Sequence, residues 1–316
     1  MDISIVIPLY NEKESLPELH SRLTETLSSI GKSYELIFVD DGSTDGSFKV
    51  LEGLHAKDPA HVSVCSFRKN TGKSAALATG FERADGDIVI TMDADLQDDP
   101  AEIPNLIKAL DDGLDLVTGW KFPRHDPITK RLPSKVINWL TGYLTGVKVH
   151  DMNCGLKAYR SEVIKGLQLY GEQHRFIPAL AHAGGFRVGE IKVHHHPRKF
   201  GHTKFGAKRF VEGLFDLLTV LFITRYIRKP LHFFGIAGLA LLLLGGGAMA
   251  YLVAGWFMGH WIGDRPLFIL SVLLIIIGIQ FISIGLLGEM LTSLSHRREE
   301  TQANVRSVLE ARDGIQ

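Results

Sequence analysis

Thr91–Pro100, TMDADLQDDP, is the stretch that decides the fold of this 316-residue chain. It completes a predicted strand, Ile88–Asp93, whose apolar and β-branched composition indicates burial on both faces. Asp93 and Asp95 stand two positions apart, and an extended backbone places both carboxylates on one side. Two carboxylates at the end of a buried strand repel each other and need a cation. Gln97 adds a neutral oxygen at the same spacing, which predicts a Mg²⁺ or Mn²⁺ site.

The acidic residues that follow have a structural explanation. Asp99, Pro100 and Glu102 have the order of an N-cap, a proline at the first helical position and an acid at the third. They predict a helix over Ile103–Leu110, and Asp98, Asp99 and Glu102 are assigned to its cap and dipole. This account leaves the first two aspartates and the glutamine unexplained, which favours the metal site.

Charge and cysteine content exclude several classes of function. Lys+Arg and Asp+Glu number 35 each, so net charge does not indicate a nucleic-acid partner. Cys65 and Cys154 form no disulfide framework or metal-binding spacing, and are expected to be reduced thiols facing the cytoplasm. The N-terminus lacks a basic region and a long apolar core, so no signal peptide is expected there.

Strands and helices alternate through residues 1–120, which predicts a doubly wound α/β sheet. The predicted strands cover Ile3–Pro8, Leu36–Asp40, Val62–Ser66, Ile88–Asp93 and Leu114–Thr118. The predicted helices cover Leu16–Ile30, Ser47–Leu54, Ser74–Arg83 and Ile103–Leu110. Polar clusters follow the first, second and fourth strands. Parallel strands bring such clusters to one edge of the sheet, which is typical of a nucleotide site.

One glycine-containing segment invites a phosphate-loop interpretation. Asn70–Ser74, NTGKS, resembles the end of a P-loop, but the earlier glycine is absent because position 67 is Phe67. The P-loop ATPase class is therefore excluded. Gly72 and Lys73 still precede a helix and could face a phosphate.

The histidine run His194–His196 invites a zinc site. It ends a predicted strand, Arg187–Val193, in which neighbouring side chains point to opposite faces. Joint chelation by the three imidazoles is therefore disfavoured.

Two long apolar runs predict a membrane hairpin. Leu231–Gly263 and Pro266–Gly288 contain no Asp, Glu, Lys or Arg, and each exceeds the roughly 20 residues that cross a bilayer core. A short turn, Gly259–Arg265, joins them. The positive-inside rule places both termini in the cytoplasm, because basic residues flank the open end of the hairpin. These residues are Arg225, Arg228, Lys229, Arg297 and Arg298.

The segment before the hairpin is basic and rich in apolar residues. Between Arg198 and Lys229 there are eight lysines and arginines against Glu212 and Asp216. This composition predicts an amphipathic helix at residues 207–230 in the membrane interface, attracted by anionic head groups. The alternative is a loop that joins two globular parts.

Several motifs carry a family resemblance. Val6–Glu12, Val39–Ser43 and Asp93–Gln97 resemble the family 2 glycosyltransferases of the GT-A fold. His150–Arg160 and Gly201–Phe205 are similar to the polyprenyl-phosphate branch, which includes dolichol-phosphate mannose synthases and bacterial undecaprenyl-phosphate glucosyltransferases. The resemblance implies a GT-A domain at residues 1–206, the interfacial helix at 207–230, two transmembrane helices within 231–292 and a cytoplasmic segment at 293–316.

The resemblance also implies roles for individual residues. It implies that the nucleotide contacts Pro8, Tyr10, Glu12, Asp40 and Asp93. The cation that bridges the pyrophosphate would be bound by Asp95 and Gln97, with Asp93 near the ribose or the metal. The acceptor's phosphate would be held by Lys121, Arg131, Ser134, Arg198 and Lys204. Lys121 replaces an arginine that is frequent in the family and cannot form the same bidentate fork.

Asp151 matches the family's candidate base. A phosphate monoester has a second pKa near 6, so the acceptor is already mostly a dianion at pH 7. Asp151 is therefore expected to orient the acceptor or to remove the residual proton.

The combined reading is a membrane-bound, inverting glycosyltransferase that uses a nucleotide sugar and a polyprenyl phosphate. UDP-glucose is the predicted donor, with GDP-mannose and UDP-N-acetylhexosamine as alternatives. A processive polysaccharide synthase is disfavoured because Gln173–Phe176 departs from Gln-x-x-Arg-Trp and only two spans are predicted. An inactive membrane scaffold is disfavoured by the intact Asp93, Asp95 and Asp151. Bacterial relatives imply a homo-oligomer in the inner membrane.

Overall fold

The computed structural model describes residues 1–122, 141–142, 145–167, 169, 171, 173–197, 219, 222, 230–259, 261–262 and 266–303, with side chains of the last helix as far as Thr292. The chain divides into two compact units, Met1–Thr224 and Arg225–Gln316. The predicted interfacial helix at 207–230 lies almost entirely outside the described residues.

The first unit is built on a mixed sheet. Its described strands are β1 Ile3–Leu9, β2 Tyr34–Asp40, β3 Val62–Ser66, β4 Ile88–Thr91, β5 Leu116–Lys121, β6 Lys157–Arg160 and β7 Val188–Val193. They lie in the order β3-β2-β1-β4-β6-β5-β7. β6 runs antiparallel to its neighbours β4 and β5, and the other described pairs are parallel. The predicted mostly parallel α/β sheet is confirmed.

Helices cover both faces of this sheet. They are α1 Leu16–Ile30, α2 Ser47–Lys57, α3 Lys73–Glu82, α4 Ile103–Asp111, α5 Ser161–Lys165 and α6 Ile177–Ala183, with 3₁₀ helices at Pro100–Glu102 and Gln173–Phe176. Along β1, the buried Ile3, Ile5 and Ile7 pack in one core layer with α1 and α4. Val6 points to the opposite face and packs with Leu77 of α3. This alternation has the two-residue period of a strand.

The main departures from the predicted elements lie beside the acidic stretch. β4 ends at Thr91 rather than Asp93, and Leu96 has a positive φ of 59°. Asp93 and Asp95 are therefore carried by a turn, and their common orientation does not come from an extended strand. β6 was not predicted, because four residues with charged ends give too weak a periodic signal. It pairs Lys157 with Thr91 of β4 and Thr118 of β5.

The second unit contains two long apolar helices, α7 Pro230–Phe257 and α8 Pro266–Ala303. Pro230–Phe257 and the Pro266–Thr292 part of α8 are long and apolar enough to cross a membrane, with mean hydropathies of 2.1 and 2.8. A 28-residue helix is about 42 Å long, which exceeds the ~30 Å hydrocarbon core of a bilayer.

Small residues allow α7 and α8 to pack closely. The buried positions of α7 include Gly238, Gly245 and Leu252, at seven-residue intervals. A Cβ on Gly238 would lie 2.7 Å from the carbonyl oxygen of Gly278 on α8. The two backbones therefore approach at a distance that only glycine permits, as in small-residue interfaces between membrane helices.

Candidate active site

A cavity of about 330 Å³ lies at the carboxyl ends of β1, β2 and β4. Its wall includes Pro8, Tyr10 and Glu12 after β1, Asp41 after β2, and Asp93 and Asp95 after β4. The polar clusters of three separate strands thus meet at one edge of the sheet, as the parallel arrangement of the strands predicts.

Hydrogen bonds between loops fix the part of the cavity that is predicted to bind the nucleotide. The N–H of Asn11 donates to Ser43 Oγ at 2.8 Å, and the N–H of Thr44 donates to Asn11 Oδ1 at 2.8 Å. The N–H of Glu12 donates to Ser47 Oγ at 3.0 Å. The segments after β1 and β2 are therefore held together before any ligand binds.

The two aspartates after β2 have different surroundings. Asp40 is buried, and its carboxylate accepts hydrogen bonds from the Ser43 N–H at 3.0 Å and the Ser66 hydroxyl at 2.8 Å. Asp41 accepts from the N–H groups of Thr71 and Gly72 at 2.6 and 2.9 Å. Asp41 lines the cavity, whereas the predicted Asp40 is not among the described residues of its wall. The nucleotide-binding role of Asp40 stays a prediction.

Asp93 lies in a strongly cationic environment. Its carboxylate forms an ion pair with Lys73, and its side chain is 30% exposed. Burial alone would raise the pKa of Asp93, but Lys73, Lys121 and Lys157 outweigh it and hold the pKa well below its ordinary value. Asp93 is therefore an anion throughout the physiological pH range.

Asp95 lines the cavity, whereas the side chain of Gln97 lies near the backbone of His196. Asp95 is buried, lines the cavity and accepts a hydrogen bond from the Gln97 N–H at 3.2 Å. The Gln97 side-chain amide is 3.5 Å from the carbonyl of His196, and the His196 N–H donates to the Gln97 carbonyl at 2.8 Å. The structure thus brings two of the three predicted metal ligands to the cavity wall.

The carboxylates of Asp93 and Asp95 fit a hard divalent cation. Mg²⁺ and Mn²⁺ take oxygen ligands, and Mg²⁺ is commonly held by one or two carboxylates together with substrate phosphates and water. Within the described residues, His, Cys, Asp and Glu side chains form no cluster of three or more that would bind a metal without a substrate. The predicted ligand set therefore remains a prediction.

Asp98 does not cap the helix as predicted. Asp99 alone makes the cap bond, accepting from the Ala101 N–H at 3.0 Å. Asp98 is buried, with its Oδ1 3.7 Å from both Lys121 Nζ and His195 Nδ1. Burial alone would raise the pKa of Asp98, but Lys121 and His195 lower it. The assignment of Asp98 to capping is wrong, because contacts distant in sequence determine its position.

Lys121 and Asp151 are the two residues predicted to act on the acceptor that lie in the described part of the chain. Burial alone would lower the pKa of Lys121, but Asp98, Cys154, Asp93 and Asp151 raise it above its ordinary value. Asp151 is buried, and its Oδ1 accepts a hydrogen bond from the Asn153 N–H at 3.1 Å. The other predicted acceptor residues lie outside the described part of the chain. They are Arg131, Ser134, Arg198 and Lys204.

Three further residues near the cavity were not among the predicted site residues. Lys73, at the start of α3, and His174, in a later 3₁₀ helix, line the cavity. Lys157 is buried on β6, and burial lowers its pKa to about 8. The position of Lys73 before a helix was a usable signal. His174 and Lys157 follow the cavity's other residues by at least 62 positions, and no local pattern marks them.

Each histidine of the run His194–His196 lies near a different carboxylate. His194 Nδ1 lies 3.0 Å from Glu102, and His196 Nε2 lies 2.9 Å from Asp99. The intervening His195 faces Asp98. These contacts connect the end of β7 to the turn that carries the acidic stretch.

Comparison with known proteins identifies the family. The model described as Glycosyl transferase family 2 matches residues 4–167. The chain is 39% identical over 308 residues to dodecaprenyl-phosphate galacturonate synthase of Rhizobium johnstonii, covering 94% of this chain and 89% of that protein. It is 40% identical over 295 residues to undecaprenyl-phosphate 4-deoxy-4-formamido-L-arabinose transferase of Shewanella sediminis, covering 91% and 86%.

Solved structures agree on the fold. The structure of glucosyl-3-phosphoglycerate synthase from Mycobacterium tuberculosis with Mn²⁺, UDP and phosphoglyceric acid superposes with a TM-score of 0.54 at 20% identity. The match covers 71% of this chain and 78% of that one. The mixed sheet, the cavity at its edge and the relatives along nearly the whole chain lead to one assignment. This chain belongs to glycosyl transferase family 2 and is a glycosyltransferase with a GT-A-type catalytic unit.

Proposed function

We propose that this enzyme transfers one sugar from a nucleotide sugar to a polyprenyl phosphate, with inversion at the anomeric carbon. The observation that carries the proposal is the cavity in which Asp93, Asp95 and Lys73 meet the segments after β1 and β2. The acceptor class is supported by two relatives aligned over more than nine-tenths of the chain, which are named as enzymes of dodecaprenyl phosphate and undecaprenyl phosphate.

The reaction is a single displacement. An oxygen of the acceptor phosphate forms a bond to the anomeric carbon on the face opposite the diphosphate. The bond from that carbon to the diphosphate oxygen breaks, and its electron pair leaves with the nucleoside diphosphate. A Mg²⁺ or Mn²⁺ ion bound by Asp93, Asp95 and Gln97 would supply positive charge near the leaving group.

Residues on the acceptor side orient the attacking phosphate. Lys121, whose side chain is 16% exposed, supplies a positive charge, and Asp151 orients the acceptor or takes a residual proton. We assign the same phosphate-binding role to Arg131, Ser134, Arg198 and Lys204. Holding both substrates in one orientation removes much of the entropic barrier to the reaction.

The proposed location is the bacterial inner membrane, with the catalytic unit and both termini in the cytoplasm. Helix length and hydropathy support two spans within 231–292, and the basic residues at the open end of the hairpin support the orientation. The interfacial helix at 207–230 and the segment at 293–316 complete the proposed organisation. Reporter fusions at the C-terminus and at the turn between α7 and α8 test it. A periplasmic C-terminus would overturn this topology.

The reaction is tested by measuring whether the labelled sugar partitions into an organic solvent as a lipid product. The full-length protein in detergent, with undecaprenyl phosphate and Mn²⁺, is incubated with radiolabelled UDP-glucose, GDP-mannose or UDP-N-acetylglucosamine. Nucleotide-linked galacturonate and 4-deoxy-4-formamido-L-arabinose are included because relatives are named for those sugars. We expect label in an organic-extractable lipid, with UDP-glucose as the first candidate donor. Label only in polymer would favour a processive synthase, and no label with any donor would favour an inactive scaffold.

The oligomeric state is a separate proposal. We propose a homo-oligomer on the basis of the family resemblance, and light scattering of the detergent-solubilised enzyme measures the oligomeric state directly. A monomeric protein–detergent complex would contradict this proposal without affecting the proposed chemistry.

A further inference from the structure

His174 is a buried imidazole in the wall of the proposed donor cavity. Its residue is only 7% exposed, and it lines the same cavity as Lys73, Asp93 and Asp95. It also lines a smaller space of about 10 Å³, together with Lys157. The cavity's predicted nucleotide and metal residues do not include it, so its chemistry is unassigned.

Ser74 fixes the orientation of this ring. The Ser74 hydroxyl oxygen accepts a hydrogen bond from the backbone N–H of His174 at 3.1 Å and lies 3.0 Å from His174 Nδ1. Ser74 is 1% exposed, so its hydroxyl proton needs a protein acceptor. Among the described residues, the only acceptor for that proton is His174 Nδ1.

The protonation of the ring follows from this arrangement. Because Nδ1 accepts the Ser74 proton, a neutral imidazole carries its own proton on Nε2. Burial, followed by Lys73, Arg175 and Lys157, lowers the pKa of His174 to about 2. The ring is therefore neutral at physiological pH, with Nε2–H as a fixed donor. A protonated Nε2 cannot bind a metal, which separates His174 from the neighbouring carboxylates.

The surroundings indicate which ligand atom would accept this hydrogen bond. The charges of Lys73, Arg175 and Lys157 together outweigh the opposing charge of Asp93 at His174, which makes this end of the cavity attractive to an anion. The diphosphate is the anionic part that UDP-sugars and GDP-sugars share. The Nε2–H group of His174 is already oriented, so the imidazole loses no rotational freedom when the ligand binds.

We propose that His174, oriented by Ser74, donates a hydrogen bond from Nε2 to an oxygen of the donor's diphosphate. This inference rests on the proposed function, since it requires a nucleoside diphosphate in the cavity. It adds a substrate-binding residue from a 3₁₀ helix that follows the acidic stretch by some 80 positions.

Calorimetric titration of the full-length enzyme with UDP or GDP, each with Mn²⁺, tests the inference without requiring turnover. We expect His174→Ala to weaken the better nucleoside diphosphate about tenfold in Kd, which corresponds to about 1.4 kcal/mol. His174→Gln places an amide N–H near the position of Nε2 and should bind within about threefold of the unaltered enzyme. His174→Asn has its amide at the Nδ1 position and should remain as weak as alanine. Ser74→Ala should have an intermediate effect.

His20 provides a matched control, because it is a half-buried histidine on α1 outside the cavity wall. His20→Ala should leave the Kd unchanged. The inference would be overturned if His174→Ala bound the nucleoside diphosphate as tightly as the unaltered enzyme, or if the glutamine and asparagine variants weakened binding equally. Either result would leave the proposed function unaffected. Weakening of nucleotide-sugar binding without weakening of the free diphosphate would also overturn the inference. If the unaltered enzyme bound neither diphosphate and transferred no sugar, both the inference and the proposed function would be overturned.

Discussion

Gly155 packs directly against the carboxyl group of Asp93: a Cβ on Gly155 would lie 2.5 Å from Asp93 Cγ. The carbonyl of Gly155 accepts a hydrogen bond from Thr91 Oγ1 at 2.9 Å, which limits any backbone shift. The segment before β6 therefore forms a wall behind the carboxylate that the proposed metal site requires.

Gly155→Ala should displace Asp93 and reduce sugar transfer at least tenfold. The added methyl group should also lower stability by about 1–3 kcal/mol, as expected for overpacking. Gly53→Ala is the control, because a Cβ on Gly53 of α2 meets nothing within 4 Å. Initial rates and thermal unfolding of both variants check this prediction. Full activity in Gly155→Ala would show that the position of Asp93 tolerates displacement.

Asp95→Asn should reduce transfer by about a hundredfold or more, because a neutral amide binds a divalent cation more weakly than a carboxylate. Its melting temperature should stay close to that of the unaltered enzyme, since the amide has nearly the same shape and can still accept the Gln97 N–H hydrogen bond. The measurement is the rate as a function of Mn²⁺ concentration. A variant with the same rate and the same metal dependence as the unaltered enzyme would remove Asp95 from the metal site.

Asp98 and Lys121 should stabilise the fold as a pair. Removing one partner of a buried ion pair costs roughly 3 kcal/mol, so Asp98→Asn and Lys121→Met should each lower the melting temperature clearly. The double variant should lose less than the sum of the two. Asp111→Asn is the control, because the Asp111–Arg160 pair is exposed and should contribute little. Strict additivity would show that the two charges act independently.

Cys154 should be unreactive in the folded enzyme. Burial, followed by the charge of Asp98, raises the pKa of its thiol to about 12, whereas Cys65 is only half-buried. At pH 8, N-ethylmaleimide should modify Cys65 and spare Cys154 until the protein unfolds, as mass spectrometry of peptides can show. Because the folded pKa is raised, the thiol's contribution to stability is complete below pH 9 and declines between pH 9 and about 12. Rapid native modification of Cys154 would contradict its burial.

Gly238→Ile should separate α7 from α8. The position faces the carbonyl oxygen of Gly278 at a distance too short for any side chain, whereas a Cβ on Gly247 of α7 meets nothing within 4 Å. Gly238→Ile should lower the apparent melting temperature in detergent, and Gly247→Ile should not. Equal stability of the two variants would mean that the helices do not pack through Gly238.

The features that the sequence predicts well are those with local causes. Apolar runs define β1 and β2, and the polar segments after them meet because parallel strands share an edge. Asp93 and Asp95 are correctly assigned to that edge although β4 ends before them. The prediction is wrong for Asp98, whose N-cap pattern is local but whose partners, Lys121 and His195, lie 23 and 97 positions away.

Features created by long-range pairing leave no comparable signal. β6 is short, and only its pairing with β4 and β5 makes it a strand. The contact between Ser74 and His174 joins residues 100 positions apart, and each residue alone is ordinary. The rest of the site depends on tertiary contacts that periodicity does not report.

The reversed direction of β6 has a consequence for how this enzyme type can diversify. β5 and β6 are adjacent antiparallel strands, so the chain leaves the sheet after Lys121 and returns at Lys157 beside the point of departure. An insertion, deletion or exchange between Lys121 and Gly146 alters neither the pairing of β5 with β6 nor the position of Gly155 behind Asp93. The part of the proposed acceptor site that contains Arg131 and Ser134 can therefore diversify, while the sheet that carries Asp93 and Asp95 keeps its architecture.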